Sequence, residues 1–281
     1  MSISIPSMQQ LLEAGVHFGH QVRRGHPKMG EYIYGVREGV HIVNLELSEK
    51  KLQEAAEYVF KLGEQGKIIL FIGTKKQAQP IVKEAAEKLG APYMDYRWIG
   101  GMLTNFDEVR KNAKKLIDLS EKKEKGELSH YTKKEQLLIS RKLEKFNHEL
   151  GGIAKLEKIP DALFIVDCVA EKTAIAEATR MGIPIVAIAD TNCNPALIDY
   201  PIPGNDDATK SIKIIVDAVA KAYEEGLKGF QKSKIKDQKE AEKKEQKLAE
   251  DAAADSVVAE DVAAAEEEVE KKTVAESERV V

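Results

Sequence analysis

The chain has 281 residues, 43% hydrophobic and 32% charged, enough for one large domain with additions or for two domains. No apolar run reaches the length of a membrane span, and Met1-Ser-Ile-Ser-Ile-Pro6 lacks the basic and apolar regions of a secretory signal, so neither membrane nor export is expected. The net charge of −4 hides an asymmetry: residues 251–281 hold three Lys/Arg against ten Asp/Glu, a net of −7, which leaves +3 on the first 250 residues. A mildly basic body with an acidic tail permits a nucleic-acid partner. Cys168 and Cys193 show no metal-ligand spacing and make no disulfide framework, so they read as small packed residues in a reducing cytosol.

Ser7 with Gln10 has capping-box spacing and predicts a helix carrying Met8, Leu11, Leu12 and Val16, with Gly15 near its end. After His17-Phe18-Gly19-His20, the stretch from Arg23 to Lys28 is polar, basic and turn-rich, and reads as a loop. Residues 32–44 read as a hairpin turning at Glu38-Gly39. Ser48 is placed as the cap of a helix reaching about Leu62. Lys67-Ile-Ile-Leu-Phe-Ile-Gly73 is a continuous apolar run ending in glycine, the pattern of a parallel strand covered on both faces. A helix over about 77–88 and a short strand over 92–96 follow.

The region 106–153 changes period. Phe106, Val109, Ala113 and Leu116, then Ile139, Leu143, Phe146, Leu150 and Ile153, recur at spacings of three and four. Two such helices joined by a polar, Lys-rich link predict an antiparallel helical hairpin, closed by Gly151-Gly152. Strand–helix alternation then resumes, with strands over 161–167 and 183–190, a helix from Thr173 to Met181, a short strand at Ile202-Pro203 and a helix over about 208–225. Helix is expected to persist to about Glu250, and disorder beyond it, because little apolar surface offsets the ordering entropy. The pattern predicts an α/β fold: a mostly parallel sheet of Rossmann or flavodoxin-like type with an inserted antiparallel coiled-coil hairpin. The expected divisions are 1–104 and 154–230 for the α/β domain, 105–153 for the hairpin and 231–281 for a charged tail.

Functional groups are expected at the carboxyl ends of the strands. Gly73-Thr74-Lys75-Lys76 sits between a strand and a helix, where backbone amides can hold a phosphate, but neither nucleotide-binding glycine fingerprint is present. Lys75 and Lys76 facing an RNA phosphate is the favoured reading there. A nucleotide-dependent enzyme is the alternative. His17, His20, Asp190 and Asp206 could ligate a divalent metal such as zinc if separate segments converge, with histidines in a polar seam as the alternative. Asp161, Asp167 and Asp190 read as caps of turns rather than as an acid–base pair, and nothing supplies a nucleophile with a base. The stretch Tyr96-Arg97-Trp98-Ile99-Gly100-Gly101-Met102-Leu103-Thr104-Asn105 holds the only Trp and leads into Arg110, Lys111, Lys114 and Lys115. We read it as a recognition element, with Trp98 packed beneath a glycine turn and the cations facing phosphate.

The motifs Gly15-Val-His-Phe-Gly-His20, His26-Pro27-Lys28, Val40-His-Ile-Val-Asn44, Ile72-Gly-Thr-Lys75, Arg97-Trp-Ile-Gly-Gly-Met-Leu-Thr-Asn105, Leu150-Gly-Gly, Pro160-Asp-Ala-Leu-Phe164, Gly182-Ile-Pro184, Asp190-Thr-Asn192 and Ile202-Pro-Gly-Asn-Asp-Asp207 resemble, in order, those of the bacterial small-ribosomal-subunit protein S-two family. The resemblance spans residues 8–226 and stops before the tail. It implies a non-catalytic structural constituent of the small ribosomal subunit, located on the cytoplasmic ribosome. Its implied role is to bind small-subunit rRNA, support subunit assembly and translation, and help dock the large mRNA-binding ribosomal protein beside neighbouring ribosomal proteins. No cofactor is implied. The RNA contacts it suggests are Arg23, Arg24, Lys28, Lys75, Lys76, Arg97, Thr104, Asn105, Arg110, Lys111 and Lys114.

Overall fold

The computed structural model describes residues 4–125 and 132–234; the link at 126–131, the stretch to about 250 expected to continue as helix and the acidic tail lie outside them. One compact unit ends at Phe230 and a second begins at Gln231. No helix among the described residues is long and apolar enough to cross a membrane.

Ser7 and Gln10 cap helix α1 (Met8–Glu13) reciprocally. The helix is shorter than its apolar spacing suggests, and of that stripe only Leu11 and Val16 are buried, while Met8 and Leu12 are exposed. Strand β1 (Phe18–Gln21) comes before the stretch expected to be a loop, and that stretch falls on two short 3-10 turns, Val22–Arg24 and Pro27–Tyr32. β1 pairs antiparallel with β3 (Val40–Val43), which also pairs with β2 (Ile33–Arg37). The two-residue turn between β2 and β3 has Glu38 at φ 52° and Gly39 at φ 75°, the doubly left-handed turn whose twist suits a hairpin.

Helix α2 (Leu45–Glu64) starts earlier than expected. Asn44 is its cap, accepting from the Glu46 amide at 3.0 Å, and Ser48 lies inside the helix with its hydroxyl donating to the Asn44 carbonyl. The cap therefore stands four residues before the expected Ser48, and the Asn44 side chain satisfies one of the free amide groups at the helix start.

The main sheet is parallel. Its strands are β4 (Ile69–Ile72), β5 (Tyr93–Met94), β6 (Ala162–Val166), β7 (Ile185–Ala189) and β8 (Tyr200–Pro203), in the order β5-β4-β6-β7-β8. Helices α3 (Gln79–Leu89) and α6 (Lys172–Met181) stop on Gly90 and Gly182, each left-handed at φ 63° and 68°, as a glycine C-cap requires. Between β5 and β6 come α4 (Phe106–Glu124) and α5 (Lys133–Leu150), which contact one another. A last helix, α7, starts at 209 and is described to 234.

Strand alternation divides the interior into two layers. Ile69, Phe71, Phe164, Val166, Val186 and Ile188 face α2, α3 and the start of α7. Leu70, Ile72, Leu163, Ile165, Ile185 and Ala187 face α6, the Trp98–Leu103 segment and the bases of α4 and α5. Each central strand is therefore apolar on both faces, which accounts for the continuous runs in the sequence. On the first layer, α2 and α7 approach backbone to backbone: a Cβ on Gly226 would stand 2.3 Å from the Phe60 carbonyl oxygen, and one on Gly63 2.7 Å from that of Tyr223.

Candidate functional site

The chain order reverses at β4, with β5 on one side and β6 on the other, so the crevice of the sheet opens beyond the carboxyl ends of β4 and β6. Lys75 enters it from the turn after β4. Its ammonium lies 2.8 Å from Asp206, 2.5 Å from Asp207 and 3.5 Å from Asp167. Its charge is therefore taken up by carboxylates of the protein itself. Burial works to lower its pKa, but the hydrogen bonds it donates to Asp206 and Asp207 overcome that and raise it. Burial, reinforced by Asp167 and Asp190, pushes the Asp206 carboxyl up to about 7. Asp207 is half-exposed and falls below its ordinary value, because the Lys75 ammonium outweighs its partial desolvation.

The same crevice orders the ends of β6 and β7. Asp167, itself at φ 70°, accepts from the amides of Val169 and Ala170 at 2.9 Å each, and so caps its turn as expected. Glu171 is 2% exposed and accepts from the Thr74 hydroxyl; burial raises its pKa. His20 is carried in by β1, whose amide donates to Thr191 Oγ1 at 2.9 Å. Its Nδ1 lies 3.1 Å from Asp190 and its Nε2 3.4 Å from Asp207. The hydrogen bond to Asp190 raises its pKa against the opposing effect of burial. Ligand atoms of His20, Asp190 and Asp206 lie within 4.8 Å of one another. His17 is not part of this group. It packs on the Phe18 ring at 4.0 Å, and burial lowers its pKa.

A crevice lined by Asp167, Glu171, Asp190 and Asp206 around one already paired lysine repels a phosphate, which removes the physical basis for the nucleotide-dependent alternative. The Rossmann-like sheet serves here as a scaffold.

The second centre is the loop from Trp98 to Thr104. Trp98 is 8% exposed and packs in the layer that holds Met102 and Leu103. Glu177, on α6, reaches into the loop. Its Oε1 accepts from the Trp98 indole at 3.0 Å and the Gly101 amide at 2.8 Å, and its Oε2 accepts from the Leu103 amide, the Thr104 amide and the Thr104 hydroxyl at 3.1 to 3.3 Å. Burial acts to raise the Glu177 pKa, but these donors prevail and hold it below the ordinary value. Gly101 stands at φ 87°, so the glycine is needed for the turn. Sequence reasoning did not single out Glu177. The readable signal was a lone carboxylate on the stripe Ala174, Ala178, where an unpaired charge is not tolerated.

The remaining candidate residues lie outside these centres. Arg23, Arg24, Lys28, Lys76, Arg97, Asn105, Lys111 and Lys114 are exposed, and Arg110 is half-buried. Arg23 donates to Gln21, and Lys111 pairs with Glu108. Arg24 stands near enough to Asp207 to help lower its pKa. Asn105 is the N-cap position of α4 but makes no side-chain cap bond. Thr104 directs its hydroxyl inward to Glu177. The turn at Arg97–Gly100 joins Val109 and Asn112 of α4 and Phe146 to Leu150 of α5 around one surface cavity, which places Arg97 at the base of both helices.

A family model described as ribosomal protein S2 matches residues 11–226. The small ribosomal subunit protein uS2 of Wolinella succinogenes is 48% identical over 220 residues, 78% of this chain and 81% of its own length. Those of Helicobacter acinonychis and Helicobacter pylori (strain P12) are each 49% identical over 220 residues, 78% of this chain and 89% and 83% of their own lengths. Together with the parallel sheet and the charge-filled crevice, these matches place the chain in the ribosomal protein S2 family, whose members are structural proteins and not enzymes.

Proposed function

We propose that the protein is a structural constituent of the small ribosomal subunit that binds small-subunit rRNA through its exposed cations. The observation that carries this reading is the contrast between two kinds of basic residue. Lys75 is consumed by carboxylates, whereas Lys28, Lys76, Arg97, Arg110 and Lys114 have no carboxylate partner among the described residues. Unpaired cations on a rigid scaffold are the groups that phosphates neutralise, and RNA helices are recognised mainly through backbone and 2′-OH contacts. Asn105, Lys111 and the loop Arg23–Arg24 extend the set. Thr104 contributes by shaping the loop.

In this reading α4 and α5 form an antiparallel coiled-coil hairpin inserted between 1–104 and 154–230, and residues 231–281 form a separate charged tail. The protein supports subunit assembly in the cytoplasm. It contacts neighbouring ribosomal proteins and helps dock the large mRNA-binding one. The test is sedimentation of tagged protein in a sucrose gradient. Wild type should travel with small subunits, and Arg97→Glu with Lys114→Glu should shift to the top of the gradient while its circular dichroism is unchanged. Wild type found only in the free fraction would refute the proposal.

A second, narrower reading concerns His20, Asp190 and Asp206, whose donors are close enough to share a divalent cation such as zinc. Elemental analysis of purified protein tests it: one equivalent supports a bound metal, and much less than one rejects it.

A further inference from the structure

A cavity of about 290 Å³ opens at the foot of α4 and α5, against the Arg97–Gly100 turn. Ile99, Phe146 and Leu150 make its apolar walls, and Asn112, Glu149 and Arg97 bring an amide, a carboxylate and a guanidinium to the same space. Glu149 and Arg97 have no ion-pair partner among the described residues. The surroundings are aromatic and cationic: the Lys142 ammonium lies 5.5 Å from the centre of the Phe146 ring, and the Tyr96 and His148 rings pack 4.6 Å apart, with Tyr96 49% exposed.

We propose that this cavity receives a single guanine base turned out of an unpaired RNA segment. The proposal rests on the rRNA-binding reading above and deepens it. Aromatic rings interleaved with cations are the surface that single-stranded RNA uses, with bases stacked and phosphates neutralised. The carboxylate selects the base. Guanine presents two adjacent donors, N1–H and the N2 amino group, which Glu149 can accept together. Adenine presents an unprotonated ring nitrogen at the corresponding position and is repelled, and uracil offers one donor only. The Asn112 amide can donate to guanine O6, and Arg97 at the rim meets the attached phosphate. An apolar side chain from a partner protein would leave Glu149 and Asn112 without partners, which is costly. A basic side chain would satisfy Glu149 but would meet Arg97 and Lys142.

Fluorescence anisotropy with the full chain and labelled pentaribonucleotides tests the assignment, with small-subunit rRNA titrated in parallel. UUGUU should bind about tenfold more tightly than UUAUU. The inosine version, which lacks the N2 amino group, should fall between them, and Glu149→Gln should bring the G and A sequences to within twofold. Equal binding of UUGUU and UUAUU by wild type, with rRNA still bound, overturns the guanine site and leaves the rRNA reading standing. Loss of rRNA binding as well overturns both. In assembled subunits, a benzoylphenylalanine in place of Phe146 should crosslink to rRNA at a guanosine; a crosslink to a protein instead would mean that a protein side chain fills the cavity, and would refute the assignment.

Discussion

Trp98 and Glu177 are joined by a hydrogen bond of 3.0 Å from the indole nitrogen to a carboxylate oxygen, across 79 residues of sequence. The same carboxylate also accepts from the backbone at Gly101, Leu103 and Thr104, so one side chain sets the path of the whole loop. Glu177→Gln keeps the shape but leaves one oxygen for donors that now share two, and places an amide N–H₂ against backbone N–H groups. The expected cost is about 2–4 kcal/mol, measured by urea unfolding. The pH dependence has a defined sign. Glu177 has a depressed folded pKa, so its contribution is present above the ordinary carboxylate range and is lost as pH falls through the folded value. The gap between wild type and Glu177→Gln should therefore be full at pH 7 and should shrink below pH ~4. A gap that does not change with pH would contradict this.

Lys75 lies at the centre of the crevice, bonded to Asp206 and Asp207 and close to Asp167. Lys75→Met strands those carboxylates and should cost about 3–5 kcal/mol. Adding Asp206→Asn removes one of the stranded charges and should recover part of the loss. A double variant as unstable as the sum of the two single changes would rule out this coupling.

Glu171 carries the opposite sign. Burial raises its folded pKa, so the folded state resists its ionisation, and stability falls as pH rises from the ordinary carboxylate range through the folded value. Glu171→Gln can still accept from Thr74 but has no charge to bury. It should be more stable than wild type at pH 7 and equal to it near pH 4, as read from urea midpoints at the two pH values.

The exposed cations make a separate prediction about ionic strength. If Arg110 and Lys114 each neutralise one phosphate, Arg110→Ala should weaken rRNA binding and lower the slope of log K against log salt by about one, and Lys114→Ala should do the same. Filter binding over a range of potassium chloride concentrations measures the slope. An unchanged slope would remove that residue from the interface.

At the α2–α7 contact, a methyl group on Gly226 would stand 2.3 Å from the Phe60 carbonyl oxygen. Gly226→Ala improves intrinsic helix propensity, yet it should destabilise the protein by about 1–3 kcal/mol because the helices must separate. A rise in melting temperature would show that the contact can relax.

The body of the fold was legible wherever local chemistry and burial agree. The runs at 67–73 and 161–167 read as parallel strands because both faces of the sheet are covered, and Gly90 and Gly182 marked helix ends because only a glycine takes the left-handed turn cheaply. The Glu38-Gly39 turn was legible for the same reason. β1 was not, because Gly19 and His20 are chosen for what lies across from them: Gly19 is held against Thr191, where a Cβ would come within 2.6 Å, and His20 reaches Asp190. In the candidate site, exposure of Arg97 and burial of Trp98 followed from residue type. The inward turn of Lys75 and the reach of Glu177 did not, since each depends on partners more than 70 residues away.

That long reach has a consequence for how the protein is made. Synthesis runs from the N-terminus, so Trp98, Gly101 and Thr104 leave the ribosome well before the carboxylate that ties them together. Until α6 has emerged and docked, the loop has its glycines but no anchor, and the unpaired amides around it face water. The rim of cations beside this loop therefore gains its final geometry only when most of the sheet is already translated. A chain truncated ahead of residue 177 would carry every exposed cation argued above to meet RNA, yet would lack the template that arranges Arg97 among them.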